Sequence, residues 1–395
     1  MRRMALAGDR IDVAELVELT RALVRIPTVF DPDRGLSEEP AARFIADLLT
    51  DWGWSPWVEI VAPGRPNVIA TVTGDGPGPH LLFEGHTDVV TEGDRSEWKL
   101  DPFSGEVVDG CLHGRGAADM KGGVAAMLLA TRAVVDAGPF PGRITVACLV
   151  DEEGMMAGAK HFVAQGHTDD IDAAICCEPE AGEICNVSKG ALRLRVDIRG
   201  RMAHGAMPQH GDNPIPRLGA LLTGLSELQR ELQAGAGEHP LLGLPYLTPT
   251  VVAAGTPAQM NVIPAGASLW IDARTVPGID HDVLVQRVRD LAGGNAAVTV
   301  IDDRPVVDTP ADSPIVTALR AAHEAVTGEA GRLGGVPGAT DGTVLTSRGG
   351  IPSVVYGPGG KWIAHQANEF VEVDDLVRHA RVYADAALRF LTASA

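Results

Sequence analysis

Leu81-Leu82-Phe83-Glu84-Gly85-His86-Thr87-Asp88 reads as an apolar, buried strand that stops at a histidine and an aspartate. Side chains on a strand alternate between its two faces, so His86 and Asp88 point the same way. In open α/β folds, chemistry gathers where the strands end. An imidazole with a carboxylate on its own face suits a metal ligand with an orienting partner.

Outward from this strand, the neighbouring segments predict the sheet it belongs to. Further strand-like runs lie at 67–73, 143–150 and 172–177, and helical patterns at 11–25, 38–52 and 119–136. Continuous apolar strands alternating with helices predict a largely parallel sheet covered on both faces, an α/β fold. The pattern changes near residue 187. Ala191-Leu192-Arg193-Leu194-Arg195-Val196-Asp197-Ile198-Arg199 alternates apolar and charged, the mark of a half-exposed strand. A helix at 212–234, strands near 249–255 and 265–274, a helix near 280–292 and a strand at 296–303 complete a β-α-β-β-α-β order. The expected organisation is one α/β domain, 1–186 and 306–395, interrupted by a ferredoxin-like α+β domain at 187–305. The two crossings near 187 and 305 predict a hinge.

Composition limits the function classes. At 395 residues the chain exceeds what one core of ~250–300 residues accommodates, so two domains are the prior. A formal net charge of −19 argues against nucleic acid and anionic membranes as partners. No apolar run reaches the ~18–20 residues of a membrane span, and the N-terminus lacks the apolar stretch of a signal peptide, which predicts a cytoplasmic protein. Cys111, Cys148, Cys176, Cys177 and Cys185 show no Cys-x-x-Cys spacing, and read as reduced thiols.

Other segments repeat the design of the opening one. Asp119 stands at the start of a helix within Gly114-Arg115-Gly116-Ala117-Ala118-Asp119-Met120-Lys121-Gly122-Gly123, where a helix N-cap is the alternative reading. The 143–150 strand stops at Asp151-Glu152-Glu153, and the 172–177 strand at Glu178-Pro179. Ala364-His365-Gln366-Ala367-Asn368-Glu369 follows a glycine-rich loop. One polar strand ending is a surface turn; three, with a loop histidine, predict convergence at one sheet edge. Carboxylates packed together cannot all stay ionised without a cation. Two histidines with three carboxylates suit two borderline divalent ions, zinc above all, whereas magnesium would use no histidine.

These motifs, in this order, resemble the dinuclear zinc family of acetylornithine deacetylase, succinyl-diaminopimelate desuccinylase, carboxypeptidase G and aminoacylase. Trp98-Lys99-Leu100-Asp101-Pro102-Phe103 adds to the likeness, which spans nearly the whole chain. The resemblance implies a zinc-peptidase-like catalytic domain with an inserted lid and dimerisation domain. It implies that Asp119 bridges two zinc ions, replaceable by cobalt, that His86 and Glu178 complete one site, and that Glu153 and His365 complete the other. Glu152 would be the general base, and Asp88 would orient His86. His204, in Gly200-Arg201-Met202-Ala203-His204-Gly205, resembles a lid histidine that, in dimeric members, crosses to the partner's active site and hydrogen-bonds the tetrahedral oxyanion. Arg274 and Asn261 match segments that contact substrate, Arg274 as a carboxylate fork, with a salt bridge to Asp272 as its alternative.

The expected activity is hydrolysis of an N-acyl amino acid or dipeptide by a homodimer. Succinyl-diaminopimelate desuccinylases carry an arginine pair before the first lid strand. Here that stretch is Ser188-Lys189-Gly190, which favours an acetylornithine deacetylase-like enzyme over a desuccinylase or dipeptidase, though Lys189 can still bind a carboxylate. A non-catalytic metal-binding homologue is the rival from another class; the presence of Glu152 counts against it. A one-metal or magnesium phosphohydrolase would want a phosphate-cradling glycine loop, and none opens a helix here. Gly334-Gly335-Val336-Pro337-Gly338-Ala339-Thr340-Asp341-Gly342-Thr343 resembles a loop lining the substrate pocket and, read alone, is a flexible turn. His80, His113, His161, His167, His210, His239, His281, His323 and His379 show no partner pattern and read mostly as surface residues.

Overall fold

A computed structural model describes residues 7–393. The chain falls into two compact units. The first comprises the chain up to Asn186, Thr309–Gly335 and Thr340 onward; the second is Val187–Asp308 with Val336–Ala339. The return crossing thus lies at Asp308–Thr309, three residues beyond the expected 305/306 boundary.

The first unit is built on a sheet whose strands run in the order Trp57–Ala62, Arg65–Thr73, Pro141–Leu149, Gly76–His86, Ala173–Cys176, Ser353–Val355 and Ile184–Ser188. The four central strands are parallel and the flanking pairings antiparallel. Pro141–Leu149 and Ala173–Cys176 are buried along nearly their whole length, and Gly76–His86 from His80 onward, which is why these stretches read as continuous apolar runs. The helix Gly122–Ala137 is buried almost all round, so it reads as apolar on every face rather than as a stripe. At its start, a Cβ on Gly123 would lie 2.1 Å from the Cys177 carbonyl oxygen, so only glycine lets the helix meet the end of the Ala173–Cys176 strand. The helix Val13–Val24 begins where Asp12 accepts from the backbone N–H of Ala14 and Glu15 at 2.8 and 3.2 Å.

The second unit has an antiparallel four-stranded sheet in the order Tyr246–Ala254, Gly266–Thr275, Gly190–Arg199, Ala296–Arg304. With helices Ile215–Ala236 and His281–Ala292 this is the split β-α-β-β-α-β arrangement. Leu192, Leu194, Val196 and Ile198 form one buried face of the first strand and pack with Leu218, Leu221, Leu225 and Leu228 of the longer helix. Each such side chain contributes about 1.5–3 kcal/mol on burial.

Among the described residues, no helix is long and apolar enough to cross a membrane. The five cysteines form no disulfide. Three histidines that read as surface residues are buried: His80, His323 and His379. Distant segments supply the partners of two of them, Thr145 and Asp170 for His80 and Tyr356 for His323, while His379 pairs with Asp375 one turn earlier on its own helix.

Candidate metal centre

Parallel register brings three strand ends to one edge. His86 lies opposite Leu149 and Glu84 opposite Cys176, so Thr87-Asp88, Asp151–Glu153 and Glu178 leave the sheet side by side. Thr87 ties the first two: its N–H and hydroxyl both donate to the Leu149 carbonyl, at 2.8 and 3.1 Å.

Asp119 sits between two histidines. Its Oδ1 is 3.2 Å from His86 Nε2, and its Oδ2 is 3.3 Å from His365 Nε2. His86 Nε2 also lies 3.4 Å from Glu178 Oε1, and His365 Nε2 lies 2.8 Å from Glu153 Oε1. Donor atoms of His86, Glu152 and Glu178 fall within 4.8 Å of one another, as do those of His86, Asp119 and Glu153. The helix expected from residue 119 starts instead at Gly122, and Asp119 stands before it in a kinked turn, Ala117–Lys121, with non-helical φ and ψ. Asp119 is therefore no helix cap.

Asp88 does two things at once. Its backbone carbonyl, not its carboxylate, is the nearer partner of His86 Nδ1, at 2.9 against 3.6 Å. Its carboxylate accepts from the backbone N–H of Glu152 at 3.2 Å and of Glu153 at 3.1 Å. The turn carrying those glutamates is further pinned through Asp151, whose φ of 66° is left-handed. Asp151 accepts from Met155 and Ala157 N–H at 3.1 and 3.2 Å and from Arg65, which also pairs with the buried Glu38.

The electrostatics of the cluster follow from crowding. Burial and the charge of Asp119 push the Glu178 carboxyl well above the usual range. Burial and the charge of Glu178 do the same to Glu152. Burial also works against ionised Asp119, but hydrogen bonds from His365 and His86 more than reverse it and hold Asp119 below the usual range. His365 is pushed up to about 10 by its hydrogen bonds to Asp119 and Glu153. His86 is raised too, against its own burial, by Glu178 and Asp119. The imidazoles are drawn toward the cationic form by four carboxylates that face them. Two imidazoles and several carboxylates at these spacings fit divalent cations, which would supply the positive charge.

His204, Asn261 and Arg274 stand in the second unit. His204 is exposed, on the two-residue strand Ala203–His204, and its Nδ1 accepts the Ala206 N–H at 3.0 Å. That bond leaves Nε2 as the protonated nitrogen of the neutral ring. Asn261 is exposed, and its carbonyl accepts the Gly205 N–H at 2.6 Å. Arg274 donates to both carboxylate oxygens of Asp272, at 2.6 and 3.2 Å, the salt bridge weighed against a substrate role. Lys189, also in this unit, donates to the Leu244 carbonyl at 2.7 Å; burial and then the charge of Arg274 hold its ammonium below the usual lysine range.

Residues missed by sequence reasoning lie around the donors. Arg115 and Glu369 form a buried pair that touches the backbone of Asp119 and His365. Glu84 and Asp341 are both buried near His86, Glu84 being pushed up to about 7 by burial. Asp341 opens the helix Asp341–Ser347 within the loop read as a flexible turn. The one clue to Glu369 is its place four residues after His365; the others carry no local signal.

Comparison with known proteins agrees with this geometry. Residues 82–389 match peptidase family M20/M25/M40. Succinyl-diaminopimelate desuccinylase from Methylorubrum extorquens (strain PA1) is 34% identical over 384 residues, covering 92% of this chain and 96% of that one. A probable succinyl-diaminopimelate desuccinylase from Staphylococcus aureus (strain N315) is 26% identical, covering 95% and 98%. Among solved structures, an M20 family metallo-carboxypeptidase from Sulfolobus solfataricus superposes with a TM-score of 0.76 at 20% identity, covering 96% of this chain and 99% of that one. A dinuclear metal binding peptidase of the M20 family from Bacillus subtilis gives 0.72 at 20% identity, covering 96% and 98%. The chain belongs to peptidase family M20/M25/M40 and is a metal-dependent hydrolase.

Proposed function

We propose that this M20/M25/M40 family member hydrolyses the amide bond of an N-acyl amino acid at the cluster of His86, Asp119, Glu152, Glu153, Glu178 and His365. The observation that carries the reading is the position of Asp119, with one carboxylate oxygen toward His86 and the other toward His365. That disposition suits a bridging ligand between two ions, His86 with Glu178 at one and Glu153 with His365 at the other. Zinc is the ion we assign, with cobalt able to replace it, because imidazole and carboxylate donors suit borderline divalent metals. When bound, the ions would polarise the acyl carbonyl and lower the pKa of water.

The rest falls to the chain's own side chains. Glu152 takes a proton from the attacking water and returns it to the leaving amine. It is suited to this because its backbone is fixed by Asp88 and burial raises its proton affinity. Asp88 acts by orienting His86 and the Glu152-Glu153 turn rather than by touching substrate. His204 donates Nε2–H to the oxyanion; Arg274 and Asn261 take the substrate's polar groups. We assign the second unit to lid closure and homodimerisation, and the protein to the cytoplasm.

Two acyl groups have support. Ser188-Lys189-Gly190, without an arginine pair, favours acetyl, as in an acetylornithine deacetylase-like enzyme. The names of the relatives favour succinyl, and so does the proximity of Lys189 to Arg274, since two cations suit a second carboxylate. A hydrolysis screen with zinc or cobalt over N-acetylornithine, N-succinyl-diaminopimelate, N-formyl amino acids and dipeptides separates them. A pocket built around the succinyl carboxylate should reject the acetyl amide by about 10⁴-fold or more in kcat/KM. Comparable rates would assign acetyl or a broad deacylase, and no turnover of any amide would remove the proposal.

A further inference from the structure

Arg115 and Glu369 are an ion pair almost sealed from water: their side chains are 3% and 0% exposed, with Nη1 2.6 Å from Oε2. Desolvating two charges costs about as much as their attraction returns, so such a pair is weak evidence for stability as such. What the pair touches is more informative. The other oxygen of Glu369, Oε1, accepts from the backbone N–H of Ala118 and of Asp119, both at 3.0 Å. Arg115 Nη2 donates to the backbone carbonyl of His365 at 3.3 Å. His365 itself has φ of 65°, a left-handed conformation that a non-glycine residue holds only when its surroundings fix it.

These contacts close a ring. Asp119 Oδ2 meets His365 Nε2 at 3.3 Å; the His365 carbonyl meets Arg115; Arg115 meets Glu369; Glu369 meets the Asp119 N–H. The pair thus fixes the backbones of two residues whose side chains meet, although 250 residues separate Arg115 from His365. Further along, Gly114 N–H donates to the Glu369 carbonyl at 2.9 Å, and Phe370–Glu372 pairs with Cys111–His113, so the latch sits at the mouth of a short antiparallel ribbon.

We infer that Arg115–Glu369 is a positioning latch that sets Asp119 and His365 as one unit and thereby tunes the metal position formed by Asp119, Glu153 and His365. The inference rests on the two-metal reading of the cluster. Neither residue is catalytic, since both act on the backbone of the donors. Partners that orient metal ligands in this way are worth about 10–100-fold in metal affinity.

The test is metal binding, not turnover alone. Metal-free wild type, Glu369→Gln and Arg115→Lys are titrated with Co²⁺, followed by calorimetry and visible absorption. Glu369→Gln keeps an oxygen for the two N–H groups but loses the ion pair; Arg115→Lys keeps a buried cation but loses the guanidinium fork that reaches both Glu369 and His365. Wild type should bind two cobalt ions. Each variant should bind the ion at the His365 position about tenfold or more weakly and lose less at the other, which shares only Asp119 with the latch. If Glu369→Gln does not fold, Arg115→Lys carries the same test. Two ions bound with wild-type affinity in a variant would overturn the latch alone, as would equal weakening of both positions, which marks a general loss of structure. A wild type that binds no cobalt would remove the metal reading and the latch together.

Discussion

The two units treat charge in opposite ways. On the sheet of the second unit, guanidinium groups are matched with carboxylates beside them: Arg195 with Asp197 at 2.8 Å and Arg193 with Asp302 at 3.2 Å. These arginines are about a third or more exposed, and the pairs neutralise themselves. At the strand ends of the first unit, Asp119, Glu152, Glu153 and Glu178 converge on His86 and His365, and crowding pushes Glu152 and Glu178 well above the usual carboxylate range. A set of charges that cancels locally is explained by the fold. A buried set that does not cancel calls for something brought in from outside, which the proposed function supplies as cations and a proton in transit.

The sharpest way to break that contrast is Glu152→Gln. The change removes the proton acceptor while keeping the side chain's shape and its Asp88-held backbone. Turnover should fall by about 10²–10⁴-fold with two metal ions retained per chain, measured by steady-state kinetics and elemental analysis. Turnover within tenfold of wild type would place the base elsewhere. Loss of a metal ion would make Glu152 a ligand, a role its closeness to His86 and Glu178 would also allow.

His204→Ala sharpens the same contrast from the other unit. His204 offers a proton rather than a charge: its Nδ1 is occupied by the Ala206 N–H, which leaves Nε2–H to give. If that proton goes to the oxyanion, kcat should drop by about 10²–10³-fold while KM moves little. A change confined to KM would reduce His204 to a substrate contact.

How much of this was legible in the sequence depends on the distance over which each contact acts. The strand ending at His86-Thr87-Asp88 was readable because a period of two is local, and the second unit's order because Leu192, Leu194, Val196 and Ile198 alternate with charges. The residues that meet in the cluster were readable because each sits at a strand end or in a motif. What was not readable is what holds the donors. Asp88 was expected to orient His86 through its carboxylate, yet that carboxylate caps the Glu152 and Glu153 N–H groups more than sixty positions away. A helix cap was the alternative reading of Asp119 because a helix does follow, but what holds its backbone is Glu369, which accepts its N–H. His80 and His323 looked like surface residues because each is satisfied by a group that folding, not local sequence, supplies, whereas the partner of His379, Asp375, stands one helical turn before it. Donors are chosen by residue type, which sequence displays; their supports are backbone contacts between distant segments, which it does not.

The smallest effect should come from Arg195→Ala, and it tests the other half of the comparison. Arg195 is 43% exposed, pairs with Asp197 two residues along the same strand and lies over the Trp270 ring at 5.0 Å. An exposed ion pair contributes about 0–1 kcal/mol, and an exposed cation–π contact about 0.5–1 kcal/mol. Asp197 keeps the Ser268 hydroxyl, 2.6 Å away, when Arg195 is gone, so no charge is stranded in a dry interior. Urea unfolding should therefore show a loss of about 1 kcal/mol, shrinking at high salt, and kcat/KM should stay within twofold of wild type. A loss of about 3 kcal/mol or more would mean the pair is effectively buried. A tenfold fall in kcat/KM would mean that the charge of Arg195 is committed to substrate, and the division between self-neutralised pairs on this sheet and a cluster that does not cancel would no longer hold.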